Sequence, residues 1–191
     1  MTISDACREV VDAAARLSGA AVARATAITE KGARIDDHQV LSSRVAYAAT
    51  EARAAQELCA LTAGFGSRST PYFEKLAEVA SALLAASVRD RLTPVLEDLG
   101  LGDADVDAIY TERVRGHLRK LGHESAVREI GRQVAADKGH TPVPLDETLE
   151  QVRRSVRQFV EVEVAPQAEH IHRHDELRRP VEIIDPDMEI S

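Results

Sequence analysis

The sequence contains no tryptophan, and aromatic residues account for only 3% of its 191 positions. Hydrophobic residues nevertheless make up 44% of the chain, and most of them are alanine, valine and leucine. The core of a β-sandwich draws on aromatic and β-branched side chains, whereas alanine and leucine favour helices that pack closely. The composition therefore predicts an all-α fold, and the length fits one domain or a domain with an appendage.

Long hydrophobic runs are also missing. No stretch approaches the about 20 apolar residues that a membrane-spanning helix requires. The N-terminal residues carry Asp5 and Glu9 and no apolar segment of the kind that a secretion signal contains. These absences predict a soluble, cytoplasmic protein.

Cysteine is scarce. The chain has two, Cys7 and Cys59, and neither lies in a C-x-x-C pair or at metal-ligand spacing from a histidine. Two isolated thiols in a chain of this length are typical of a reducing compartment. We therefore expect them to fill small apolar spaces, without a disulfide framework.

The chain has fewer basic than acidic residues. It contains 24 Lys and Arg residues and 32 Asp and Glu residues, which gives a net charge of −8. The arginine pairs Arg153-Arg154 and Arg178-Arg179 have acidic neighbours, as on a solvated helix face. This balance argues against a broad surface for nucleic acid or for an anionic membrane.

Two long amphipathic helices are predicted in the first third of the chain, from about Ser4 to Thr29 and from about Asp37 to Ala63. Gly32 and Gly64 mark the C-terminal ends of these two helices. Both predictions rest on stripes at alternating steps of four and three: Cys7, Val11, Ala14, Ser18, Ala21, Ala25 and Ile28, then Leu41, Val45, Ala48, Ala52, Ala55 and Cys59. Small residues along both stripes favour an antiparallel hairpin with closely spaced backbones.

Capping and breaking residues mark the next boundaries. Asp36 and Gln39 have the spacing of a capping box at the start of the second helix. Thr70 and Pro71 predict the start of a third helix, and Pro94 kinks or ends it. The predicted buried face of this helix is Phe73, Leu76, Ala80, Leu83 and Ser87, widened by Leu84 and Val88.

The second half of the chain divides at a linker. Two shorter helices are predicted at roughly 104–120 and 124–137, before a Gly- and Pro-containing stretch at 137–144. A last long helix begins near Asp146, with Leu149, Val152, Val156, Phe159 and Val160 as its apolar face. Residues 159–164 (FVEVEV) also alternate like a strand, but the helical period runs into them unbroken. The predicted domains are 1–143 and 145–191.

Histidines at positions 170, 172 and 174 form the one cluster that has the composition of a metal site. On a helix, His170 and His174 share a face one turn apart and could hold a transition metal together. In an extended segment, all three would point the same way. Nothing nearby completes a ligand set, so the favoured interpretation is a polar helix end with no metal.

Two other segments resemble cofactor motifs only superficially. Thr50-Glu51 with Ala54 matches part of a flavin-contacting signature, but it lies inside a strongly periodic helix and the Ser-Asp pair is absent. Gly64 to Ser67 (GFGS) lacks the third glycine of a dinucleotide fingerprint and follows a helix where a strand is required. Both are interpreted as structural.

The segment from Leu145 to Ile184 resembles the opening of the acyl-CoA dehydrogenase fold. In that family an amphipathic helix precedes a V-A-P break, here Val164 to Pro166, and a short helix bearing His and Glu. A P-x-E-[IL]-[IL] segment follows, here Pro180 to Ile184. Upstream, Asp36 to Val40 followed by Arg44 to Arg53 looks like the second helix of an extension in a longer subgroup. That subgroup includes enzymes similar to 2-methylsuccinyl-CoA dehydrogenase.

The resemblance implies that 1–143 is this extension and that 145–191 is an incomplete N-terminal segment of the shared fold. The full-length family uses FAD to remove an α-proton and a β-hydride from an acyl-CoA thioester. Its flavin- and substrate-handling residues have no counterpart here, so no catalytic, cofactor-binding or metal residue is assigned. Seven residues follow Ile184, and Asp185 to Asp187 interrupt the family pattern.

Two functional hypotheses follow from these patterns. In the first, the chain is a fragment or truncated relative of an FAD-dependent acyl-CoA dehydrogenase, without flavin binding or turnover alone. In the second, it is a non-catalytic helical module for oligomerisation or docking, because the helix at 146–164 lacks its natural packing partners. The expected partner is a second copy or the missing dehydrogenase core.

Overall fold

The computed structural model describes residues 3–139, 143 and 145–174, and all regular structure within these ranges is helical. The predicted all-α fold is therefore confirmed for this part of the chain. Internal contacts divide the chain into two units, Met1–Pro144 and Leu145–Ser191. No helix in the described ranges combines the length and the apolar character that a membrane crossing requires.

Three long helices build the first unit: α1 (Asp5–Ile28), α2 (Gln39–Phe65) and α3 (Pro71–Leu92). Each of them packs against the other two. Successive helices run antiparallel. Cys7 at the start of α1 lies beside Cys59 near the end of α2. Arg44 near the start of α2 donates a 3.2 Å hydrogen bond to the carbonyl of Arg91 at the end of α3.

The stripe predicted for α2 is the face that packs into this bundle, with Leu41, Val45, Ala48, Ala52 and Ala55 all buried. Alanines at most of these positions let the helix backbones approach closely. The buried face of α1 is wider than predicted, because α1 contacts α5 as well as α2 and α3. Its additional buried residues are Val10, Ala13 and Leu17.

The face predicted for α3 is wrong at its leucines, although Phe73 and Val88 are buried as predicted. Leu83 is 47% exposed, and Leu76 is only half-buried. The buried face instead carries mostly small residues, namely Ala77, Ser81, Ala82, Ala85 and Val88, with Leu92 at its end. Small side chains face the bundle because they allow the close approach that α1 and α2 impose, and the bulkier leucines take peripheral positions.

Both ends of α3 follow the predicted signals. The Thr70 hydroxyl accepts a 3.1 Å hydrogen bond from the Phe73 amide, and Pro71 occupies the first turn. The α-helix ends at Leu92, just before Pro94, and continues as a single 3₁₀ turn. Proline ends the α-helical ladder here because it has no N–H to donate.

The ends of α2 differ from the prediction. The helix runs through Gly64 to Phe65, and Gly66 ends it with a φ of 52°, which favours glycine. Asp36 is not its N-cap, because a 3₁₀ turn over Ile35–His38 precedes the helix. The Gln39 side-chain amide still donates to Asp36 Oδ1 at 3.3 Å, so the two residues interact without forming a capping box.

Three shorter helices complete the first unit: α4 (Asp103–Ile109), α5 (Glu112–Leu121) and α6 (Glu124–Ala136). The single helix predicted at 104–120 is therefore wrong. Tyr110 leaves the helical conformation (φ −92°, ψ 67°), and its side chain is fully buried. Thr111 then restarts the helix, since its hydroxyl accepts a 3.4 Å hydrogen bond from the Val114 amide.

The described part of the second unit contains α7 (Glu147–Phe159), a π-helical turn (Val160–Val164) and α8 (Ala165–His174). Asp146 caps α7 by accepting a 2.8 Å hydrogen bond from the Leu149 amide, as predicted. The helical interpretation of residues 159–164 is confirmed, although part of that stretch is π-helical. The segment from Pro180 to Ile184 lies outside the described residues, as do Arg178 and Arg179.

Candidate docking surface

One face of α7 carries the apolar side chains that the sequence analysis singled out. Steps of three, four, three and one place these five side chains on one side of the helix. Each is substantially exposed: Leu149 51%, Val152 53%, Val156 56%, Phe159 46% and Val160 42%. Val160 is the first residue of the π turn and continues the face of α7, so we call these five residues together the α7 face.

The second unit has no core of its own among its described residues. None of the side chains described in α7, the π turn or α8 is buried. Complete burial of one Val, Leu or Phe side chain stabilises a protein by about 1.5–3 kcal/mol relative to leaving it exposed. Large contiguous apolar patches on soluble proteins usually mark interaction sites. The α7 face is therefore the best candidate for a functional surface in the described part of the chain.

Charged residues border the α7 face. Arg153 and Arg157 follow one edge, one helical turn apart. Arg153 pairs with Glu150 at 2.5 Å, whereas Arg157 makes no ion pair with any described residue. Arg157 thus gives this edge a positive charge without an ion-pair partner among the described residues, beside an apolar surface, as in a helix that docks through both hydrophobic and ionic contacts.

The predicted histidine cluster lies on α8. His172 is exposed, and the side chains of His170 and His174 are outside what the structure describes. Within the described residues, no group of three or more His, Cys, Asp or Glu side chains is arranged to hold a metal ion. The interpretation of the cluster as a polar helix end without a metal therefore stays a prediction.

Thr50 and Glu51 lie within α2, as the periodicity predicts, and both side chains are engaged in the bundle. The Thr50 hydroxyl donates to the Ala46 carbonyl at 2.9 Å. Glu51 accepts a 2.7 Å bond from Arg91 of α3, whose guanidinium lies 5.0 Å from the centre of the Tyr47 ring. The Glu51 contacts join α2 to α3, and the Thr50 hydrogen bond stays within α2. The structural interpretation therefore accounts for both residues.

The GFGS segment connects two helices and has the plain structural role that was expected. Gly64 belongs to α2, and residues Gly66–Arg68 form a 3₁₀ turn before α3. The ring of Phe65 meets the ring of Phe73 edge-on, with 5.3 Å between their centres. This aromatic contact fixes the angle between the two helices.

The two cysteines are free thiols, as expected, and they lie side by side, which the sequence analysis did not predict. The sulfur atoms of Cys7 and Cys59 lie 3.9 Å apart. Cys7 is the first residue of the predicted α1 stripe, and Cys59 is the last of the α2 stripe. An antiparallel hairpin brings those two positions together, so the pairing could have been deduced by combining the two predictions.

Comparison of this chain with protein-family models, with curated proteins and with solved structures finds no match. The resemblance to acyl-CoA dehydrogenases therefore rests on the sequence patterns alone. What the structure adds is the geometry of the α7 face and of the cysteine pair.

Proposed function

We propose that this chain is a non-catalytic helical interaction module that docks onto a protein partner through the α7 face. The observation that carries the proposal is the exposure of five apolar side chains on one side of a single helix. Burying them against a partner supplies a hydrophobic driving force. The helix is amphipathic and preceded by a linker, a common form for helix-in-groove recognition.

The basic edge of the α7 face favours a partner of different sequence over a second copy. In an antiparallel pair of identical helices, the same edge of each copy lies alongside the other. Arg153 and Arg157 of one copy would then meet those of the second, which is unfavourable. A parallel pair would place these arginines beside uncharged residues and gain no ion pair. The complementary partner is an apolar groove with carboxylates along one rim.

A pair of matched variants tests whether the α7 face is an available apolar surface. Val152→Asp/Val156→Asp adds two charges to the face, and Gln151→Asp/Gln158→Asp adds two charges to the opposite side of the same helix. Binding of an apolar dye such as anilinonaphthalene sulfonate should fall strongly in the first variant and persist in the second. Equal dye binding by all three proteins would refute the proposed surface.

The second candidate function identifies the partner. In this proposal the chain is the N-terminal helical part of an FAD-dependent acyl-CoA dehydrogenase, and the α7 face packs against the flavin-containing core. An amphipathic helix followed by a helix that begins at Ala165-Pro166 and carries the histidines is the order that the resemblance implies, and this order supports the proposal. The break expected at Val164 to Pro166 is absent, because the helical backbone runs through these residues as a π turn and the start of α8. The complete assembly would then catalyse α,β-dehydrogenation of an acyl-CoA thioester.

The partner test uses the purified FAD-containing core of a long-type acyl-CoA dehydrogenase, with its own N-terminal helices removed. Titration of this core with the chain should show saturable binding and slower loss of flavin. The Val152→Asp/Val156→Asp variant should not bind, whereas Gln151→Asp/Gln158→Asp should. Dye binding without core binding would retain the interaction module and reject the dehydrogenase partner.

A further inference from the structure

The cysteine pair occupies a junction of the three long helices. Cys7 of α1 is fully buried, and its sulfur lies 3.9 Å from the sulfur of Cys59 in α2. The hydroxyl oxygen of Ser81 in α3 lies 3.6 Å from the Cys59 sulfur. Cys59 is partly exposed to solvent. A buried thiol, an accessible thiol and a hydroxyl thus converge in one place, outside the proposed docking surface.

The two thiols have different electrostatic surroundings. The hydrogen bond between the sulfurs lowers the pKa of Cys59, and Ser81 and Arg8 lower it further, against the opposing effects of partial burial and of the Glu78 carboxylate. The same hydrogen bond and burial raise the pKa of Cys7. Cys59, which is also the partly exposed member, therefore ionises more readily than the buried Cys7.

Apolar packing holds the pair in place. Cys7 belongs to a cluster with Ile3, Val11, Ala55 and Ala77, and Cys59 packs against that cluster. The short residues around the pair leave the sulfurs in contact, with no bulky side chain between them. A disulfide has an S–S distance of about 2.05 Å, so bond formation requires the sulfurs to approach by roughly 2 Å.

We propose that Cys59 is a site of oxidation by hydroperoxides and that Cys7 is its resolving thiol, so that oxidation joins α1 to α2 by a disulfide. The accessible position of Cys59 admits a small oxidant, and the adjacent Cys7 intercepts the product. The pair thereby makes the helical bundle sensitive to peroxide. This proposal does not depend on the function of the α7 face.

The chemistry balances in two steps. In the first, the Cys59 thiolate attacks one oxygen of hydrogen peroxide, the O–O bond breaks, and the leaving hydroxide is protonated to water. Cys59 is oxidised to a sulfenic acid, and the peroxide is reduced. In the second, the Cys7 sulfur attacks the sulfenic sulfur, the S–O bond breaks, and the Cys7 proton leaves with the hydroxide as a second water.

The test uses the full chain, reduced and then treated with a small excess of hydrogen peroxide. The intact mass should fall by two hydrogen atoms, the titratable thiols should fall from two to none, and dithiothreitol should reverse both changes. The melting temperature of the oxidised protein should rise by roughly 5–15 °C, because the bond closes a long loop of the unfolded chain.

Single-cysteine variants separate the roles of the two thiols. In Cys7→Ser, Cys59 should accumulate as a sulfenic acid that dimedone traps. In Cys59→Ser, Cys7 should stay reduced at the same peroxide concentration. Ser81→Ala retains both thiols and removes only the hydroxyl, and we expect it to oxidise several-fold more slowly at neutral pH. Circular dichroism melts of the reduced variants identify any change that comes from misfolding.

Three outcomes would overturn the proposal. One is a reduced, folded wild-type protein that keeps both thiols after the treatment. Another is a disulfide that forms only between chains, seen as a dimer on a non-reducing gel. The third is a Cys59→Ser variant whose remaining thiol oxidises as quickly as the pair does.

Discussion

The hydroxyl of Tyr110 donates a 2.9 Å hydrogen bond to the backbone carbonyl of Ala85 in α3. Tyr110 lies at the break between α4 and α5 and has no exposed surface. This bond explains why the chain leaves the helical conformation at Tyr110. The ring fills the core only when the backbone turns inward, and the buried hydroxyl finds a partner there.

Loss of that bond should weaken the fold measurably. We expect Tyr110→Phe to lower the free energy of unfolding by about 1 kcal/mol, because the ring still packs and only the hydrogen bond is lost. Tyr47→Phe is the matched control, since Tyr47 is 58% exposed and should change stability little. Urea unfolding of both variants makes the comparison. Equal stability losses would show that the Tyr110 hydroxyl has no special role.

The same residue should make stability fall at alkaline pH. Burial raises the pKa of Tyr110 above that of an exposed tyrosine. An unfolded tyrosine loses its proton at about pH 10, whereas the folded one keeps it, so the folded state binds more protons above that pH. The contribution is complete below about pH 10 and is lost as the pH rises toward the folded-state pKa. Urea unfolding at several alkaline pH values should show a shallower decline for Tyr110→Phe than for wild type.

Two leucines of α3 should differ sharply in their importance. Leu92 is fully buried, so Leu92→Ala should cost about 2–5 kcal/mol through lost burial and the cavity that remains. Leu83 is 47% exposed, and Leu83→Ala should cost about 1 kcal/mol or less. Urea or thermal unfolding measures both. A larger loss at Leu83 would restore the face of α3 that the periodicity predicted.

The ion pair between Glu51 and Arg91 should couple more strongly than an exposed pair. The Glu51 side chain is only 16% exposed, and the pair joins α2 to α3 at 2.7 Å. A double-mutant cycle with Glu51→Gln and Arg91→Met should give a coupling of about 1 kcal/mol. The Arg53–Glu57 pair within α2 is more exposed and should give about 0.3–0.5 kcal/mol. Coupling at Glu51 and Arg91 that falls below this control would contradict the expectation.

Helix existence could be predicted from the sequence because it depends on local signals. The hydroxyl of Thr70 and the ring of Pro71 act within one turn, and both mark the true start of α3. The buried stripe of α2 could also be predicted. A helix that packs against its neighbours on one side only has a single narrow stripe of apolar residues, which repeat at the helical period. The helical period also predicted which residues form the α7 face. The structure shows that this face is exposed, because no described residue of its unit is buried.

Features that depend on several helices at once could not be predicted from periodicity. The face of α3 is set by how closely α1 and α2 already approach, so small residues such as Ala77 and Ala85 are buried ahead of Leu83. The break at Tyr110 requires an acceptor on α3 that is 25 positions earlier in the chain. Each of these is a property of the packed bundle.

The alanine stripe of α2 leaves the bundle almost no freedom to change its spacing. At Ala48, Ala52 and Ala55, a larger side chain forces the helix axes apart, at about 1–3 kcal/mol for each overpacked site. Glycine is the only smaller choice, and it costs about 1 kcal/mol in a helix interior. These positions therefore tolerate neither a larger nor a smaller side chain. Sequence drift in this bundle is confined to its outer surface. New properties can arise on that surface without altering the distances between the helices.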